Sequence, residues 1–67
     1  MERAYGIMEV VGVSGESYAD ATRNAVEAAA KKQNTLGWFE VDEMRGRIDG
    51  GKVSEFQVKV RIGYRML

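Results

Sequence analysis

The chain contains no cysteine, no histidine and no proline, and only one tryptophan, Trp38. Without cysteine there is no disulfide, and without cysteine or histidine there is no zinc site of the usual kind. A carboxylate-only Mg²⁺ or Ca²⁺ site stays open, but no acidic loop has EF-hand spacing. Proline-rich, low-complexity and repeated segments are also missing, so no linker divides the 67 residues, and residues 1–67 read as a single domain. No apolar run approaches the roughly 18 residues of a membrane span. No apolar stretch follows Glu2 and Arg3 to make a signal peptide. The expectation is a soluble, cytoplasmic protein with no membrane partner. Charge of one sign is lacking too: ten basic residues balance ten acidic ones, and the isoelectric point is 6.2. A dedicated nucleic-acid binder would normally show a basic excess, so no nucleic-acid partner is expected.

These absences bear on stability. A core of this size rarely supplies more than about 3–5 kcal/mol. Small folds usually add disulfides, a metal or a partner subunit. With the first two excluded or without a motif, self-association is the support that remains, and an oligomer is expected.

What is present reads as four elements. Residues 4–13 are rich in Ile and Val, with Tyr5, Ile7, Glu9 and Val11 on one face and Gly6, Met8 and Val10 on the other. Gly6 and Gly12 disfavour a helix there. Ser17 then suits an N-cap, with Asp20 three residues on as a short capping box. From Ser17 to about Asn34, Tyr18, Ala21/Thr22, Ala25/Val26 and Ala29 make a helical stripe. Arg23, Glu27 and Lys31 line the opposite, solvated side. Lys31 and Lys32 fall in the last turn, where they suit the helix dipole, and Gly37 closes the segment. Six alanines make the buried face thin, so this helix can sit close to a sheet.

Residues 38–48 form the second strand. Phe39 and Val41 share one parity and Met44, Gly46 and Ile48 the other, so a bulge is expected near Asp42-Glu43, re-aiming Glu43 or Arg45. Asp49-Gly50-Gly51 marks a hairpin. Residues 53–66 alternate almost without fault, Phe56, Val58, Val60, Ile62, Tyr64 and Met66 against Glu55, Gln57, Lys59, Arg61 and Arg65. The order is β-α-β-β, an α+β fold. The third strand reaches about 45 Å at ~3.3 Å per residue, the helix about 27 Å at ~1.5 Å per residue. One helix does not cover so long an apolar face, which again calls for neighbouring subunits. The polar face is ordered enough to wall a solvent-filled interior or a ligand.

Trp38 and Gln57 are the notable pair. Phe39, with Val41 for company, is the better core residue, which leaves Trp38 on the face it shares with Glu40. The hairpin is expected to return Gln57 beside it. An indole stacks on a flat heteroaromatic ligand, and an amide reads donors and acceptors on its edge. Periodicity alone leaves Trp38 open between core, subunit interface and ligand site, and Gln57 open between ligand contact and ordinary surface polarity. Glu43, Arg45 and Arg47 alternate in sign and suit an intersubunit salt-bridge network; Arg45 and Arg65 alternatively suit a phosphate. No catalytic set is visible: no serine has an evident base, and no Gly-rich phosphate loop is present.

Taken together, the residues resemble the dodecins over nearly the whole chain. The resemblance rests on Val11-Gly12 with Ser14, Asn24-Ala25-Val26, Trp38-Phe39-Glu40-Val41, Glu43, Arg45-Gly46, Gly51-Lys52-Val53, Phe56-Gln57-Val58 and Gly63-Tyr64-Arg65. It implies a three-stranded antiparallel sheet wrapped around one helix, and twelve subunits in a hollow sphere. It further implies a non-enzymatic protein that stores flavin and protects it from light. Two stacked flavins would lie at each two-fold interface between the Trp38 residues of two subunits, with Gln57 on the flavin edge. Arg45, Arg47 and Arg65 near that site favour FMN over riboflavin, and Glu43 belongs to the same neighbourhood. Family members also bind coenzyme A near the three-fold axis, which residues 32–34 and 65–67 would match here, although Gly6 stands where a basic residue is often found. Two other classes of function are kept beside this one: a flavin-dependent oxidoreductase, and a structural scaffold in which Trp38 only packs an interface.

Overall fold

Gly50 and Gly51 have φ of 60° and 78°, the only positive values among the described residues. Two successive left-handed residues make a type I′ turn, whose twist matches that of the strands it joins. From that turn two strands run back for 14 residues each, β2 (Leu36–Asp49) and β3 (Lys52–Arg65). They are preceded by β1 (Tyr5–Ser14) and α1 (Tyr18–Ala30). The computed structural model describes residues 3–66; Leu67, which belongs to the segment expected to match a coenzyme A site, lies outside them. The sheet is antiparallel in the order β1-β3-β2, and the molecule measures 54 × 19 × 14 Å.

The helix begins where the sequence places it. Ser17 has extended dihedrals, and its hydroxyl accepts from the Asp20 amide at 3.0 Å. The capping box is not closed as expected. Asp20 instead accepts from the Ser14 hydroxyl at 2.8 Å, while the Ser14 oxygen receives the amides of Glu16 at 2.8 Å and Ser17 at 3.4 Å. Buried Ser14, at the end of β1, therefore joins strand, loop and helix start. The helix stops at Ala30, four residues earlier than expected. The amides of Lys31 and Gln33 close on Ala28 and Ala29, tightening the last turn, and Lys31 becomes the C-cap rather than part of that turn. Gly37 does not end the helix; it lies inside β2.

Ala21, Ala25 and Ala29 of α1 lie on Val58, Val60 and Ile62 of β3, all 3% exposed or less. Each of the three β3 side chains contributes about 1.5–3 kcal/mol by leaving water. Alanines allow this closeness, and so does Gly12, where an added Cβ would overlap the carbonyl of Ala21. The Asn24 amide donates to the Val13 carbonyl at 2.9 Å and ties the helix to β1.

The helix covers β1 and β3 but scarcely reaches β2. Phe39, expected in the core, does face the helix side, yet it remains 50% exposed because no helix lies over its strand. Met44, Ile48 and Val53 continue this uncovered apolar face toward the hairpin tip. The expected bulge is present: the β2–β3 register shifts between Val41 and Glu43. Further shifts fall between Leu36 and Trp38 and between Arg47 and Ile48.

Candidate functional site

The sheet has a helix face and an open face. Trp38 projects from the open face, opposite Gly63, which is in turn opposite Ile7. Gly63 has no side chain, and an added Cβ there would overlap the six-membered ring of Trp38. The indole therefore lies across the bare backbone of β3. Its far rim meets Tyr5 edge-on, with centroids 5.1 Å apart and planes at 68°. Trp38 nevertheless keeps 43% of its surface exposed, so one face rests on the strand while the other is open.

Gln57 is on the same face but not beside Trp38. Its partners in the ladder are Arg45 and Val13, and it stands six residues along β3 from Gly63. At ~3.3 Å per residue that is about 20 Å. The expectation that the hairpin joins ring and amide within one chain is therefore corrected: the turn pairs Trp38 with Gly63, near the far end of β3. The Gln57 Nε2 donates to a Glu55 carboxylate oxygen at 2.7 Å, and Glu55 also pairs with Arg47 at 3.6 Å. The amide is thus oriented, with its oxygen and one N–H left to present outward.

The bulge puts Glu43 and Arg45 on the open face, as their changed parity requires, and the two form an ion pair. Arg45 lies at the Gln57 end of the face. Arg65 lies at the Trp38 end, opposite Tyr5, with its backbone bonded to Thr35. Between the two ends, Lys59 and Arg61 of β3 each pair with Glu9 of β1 and Asp42 of β2, at 3.4 to 3.6 Å. All four are at least partly solvated, so the belt contributes little to stability and mainly keeps the middle of the face polar.

Two recesses are present, one on the helix face and one at the Trp38 end of the sheet. Phe39, Val41 and Val26 line an apolar groove of about 550 Å³ between α1 and β2. Tyr5, Asn34, Thr35, Leu36, Gly37 and Arg65 surround a polar one of about 340 Å³. Asn34 and Arg65 from the expected coenzyme A segments meet there, but Lys32 does not line it. Gly6 lies under the Tyr64 ring, so a longer side chain at that position would displace Tyr64. Among the described residues, no three metal-ligating side chains gather, no buried side-chain polar atom lacks a partner, and no helix is long and apolar enough to cross a membrane.

Gly63, Tyr5 and Glu55 are the contributors that the sequence reading did not single out. A glycine interrupting the side chains of a strand marks close approach of another group, which is the signal Gly63 carries.

Fold and face together define a small α+β protein with an exposed ring platform and an oriented amide, built around a sheet that a single helix only half covers. The sequence model of the dodecin family, described simply as "Dodecin", matches residues 4–67. The chain is 39% identical to the dodecin of Thermus thermophilus over 66 residues, covering 98% of this chain and 96% of that one. The structure of dodecin from Streptomyces davaonensis superposes with a TM-score of 0.96 at 33% identity, covering 100% and 98% of the two chains. Streptomyces coelicolor dodecin gives 0.93 at 40% identity, with 97% and 93% covered. This chain belongs to the dodecin family. The β-α-β-β order and the three-stranded antiparallel sheet agree with that membership, and the family points to an assembly of identical chains.

Proposed function

We propose that this protein binds flavin, FMN by preference, and sequesters it without turnover in a homo-dodecamer. Two stacked flavins would sit at each two-fold interface, between the Trp38 residues of two subunits. The observation that carries the reading is the Trp38 indole, held against Gly63 with its other face exposed. A flat apolar face of this kind suits an isoalloxazine, and family membership supports the choice of ligand.

The distance to Gln57 supports a site between subunits. A tricyclic ligand centred on the indole does not span the roughly 20 Å to Gln57 of the same chain. Both groups can serve one ligand only if a second chain supplies one of them. A two-fold axis would also set one Trp38 against another. The Gln57 oxygen and free N–H match an edge that alternates donors and acceptors. Arg45, released from Glu43, or Arg65 would meet the FMN phosphate. A bound flavin supplies a light-absorbing, electron-accepting ring. The stacked Trp38 indole would lend an electron to the excited ring and take it back, which would be the basis for photoprotection. Coenzyme A belongs to the same proposal as a second ligand, at the recess between Asn34 and Arg65.

The test is a titration of purified protein with FMN, read by flavin fluorescence and by the mass of the assembly. Quenched, stoichiometric binding is expected, with Trp38→Ala retaining only weak, unquenched binding while the assembly keeps its mass. Full affinity in Trp38→Ala would remove the site. A wild-type assembly that stays colourless, and a Trp38→Ala protein that dissociates, would favour the scaffold reading. NAD(P)H oxidation by the loaded protein would favour an oxidoreductase. Coenzyme A added to FMN-loaded protein should bind without displacing flavin.

A further inference from the structure

Gly63 occupies a position that its backbone does not require to be glycine. It lies in the central strand, and only Gly50 and Gly51 have positive φ among the described residues. Glycine weakens a strand interior, so on local grounds alanine or valine would be favoured here. What the position cannot accommodate is volume. The Trp38 ring fills the space where a Cβ would stand, and it is ring atoms Cζ2, Cε2 and Cη2 that the Cβ would strike. These three adjacent atoms are nearly equidistant from that point, which means contact with the ring's face, not its edge. Tyr5 then limits sliding of the ring across β1.

We infer that Gly63 is a positioning residue: it seats the Trp38 indole flat on the sheet before any ligand arrives, so that a planar ligand meets a fixed surface. This rests on the flavin reading for the identity of that ligand; the seating itself does not. An indole free to rotate would lose side-chain entropy on stacking, and a seated one has already lost it. Any side chain at position 63 would lift the ring off the strand and tilt the face offered to the ligand.

The experiment compares wild type, Gly63→Ala, Trp38→Ala and the double variant as assembled proteins. Gly63→Ala should weaken FMN binding at least tenfold and leave the residual bound flavin less quenched, with assembly mass unchanged. In the Trp38→Ala background, the same substitution should leave FMN affinity unchanged, because the ring it disturbs is gone. Equal FMN affinity and quenching in Gly63→Ala and wild type would overturn the inference, as would a tenfold loss that persists without Trp38.

A second measurement needs neither substitution nor flavin. Trp38 is the only tryptophan of the chain, so time-resolved emission anisotropy of ligand-free wild type, excited at the red edge of the indole band to suppress transfer between Trp38 rings of neighbouring subunits, reports the motion of that ring. Anisotropy decay at the tumbling rate of the assembly supports a seated indole; a large fast component from local rotation overturns it. This arm decides the matter if Gly63→Ala fails to assemble. If wild type binds no FMN, the flavin reading fails while the anisotropy still tests the seat.

Discussion

At Gln57 the decisive group is its neighbour Glu55. An amide has two chemically different ends, and an unconstrained one presents either to a ligand. The Glu55 carboxylate, accepting from Nε2 at 2.7 Å and held by Arg47, selects one orientation. Replacing Glu55 with alanine should therefore weaken FMN about fivefold, the equivalent of roughly 1 kcal/mol for one hydrogen bond's worth of orientation. Gln57→Ala should cost at least as much, and in that background Glu55→Ala should cost nothing more. Fluorescence titration of the four proteins checks this, and additive losses would remove Glu55 from the account. Glu43 should act in the opposite direction. It occupies the Arg45 guanidinium in the protein alone. Glu43→Gln should raise affinity for FMN relative to riboflavin several-fold, because the phosphate no longer competes with a carboxylate. Competition of the two ligands at low salt would show it, and an unchanged ratio would place the phosphate away from Arg45.

At the scale of elements, the start of α1 depends on two hydroxyls. Ser17→Ala removes a cap bond and should cost about 1 kcal/mol, a Tm drop of some 4–8 °C for a domain of this size. Thermal melting at fixed protein concentration measures it. Much of this level was legible in the residues. The cap serine, the alanine stripe, the Gly-Gly turn and the bulge after Val41 each leave a local mark in composition or parity. The helix C-terminus left none. Lys31 to Asn34 contains no proline or glycine, and the stop comes from the chain turning so that Thr35 can pair with Arg65. The site was half legible. Trp38 on the open face follows from parity. Its partner follows from register, because counting outward from the turn leads to Gly63 and away from Gln57. What no count reveals is that Glu55 turns the amide, since strand parity does not say which neighbour a flexible side chain selects.

For the whole molecule, the feature with the widest consequence is the uncovered apolar face of β2. Met44 is 56% and Ile48 74% exposed, and the hairpin that bears them extends beyond α1. A monomer of this shape leaves much of its best apolar surface in water, so subunit association and folding should be coupled. The melting temperature is expected to rise with protein concentration. Ile48→Lys should move the assembly to smaller species, seen by sedimentation velocity, while the isolated subunit gains solubility. A concentration-independent melt and an intact Ile48→Lys assembly would mean that this face is covered in another way.

The two bulges in β2, at Gly37 and Asp42, reach beyond the aiming of Glu43 and Arg45. With β3 central, β2 is an edge strand of 14 residues, long enough to template pairing by a stray chain. Such pairing needs an unbroken row of backbone donors and acceptors. The extra residues Gly37 and Asp42 divide that row into shorter pieces. A protein that exposes apolar surface for association thereby keeps its sheet margin unsuited to fibril growth, and the same irregularities that shape the open face guard the subunit while it waits for its partners.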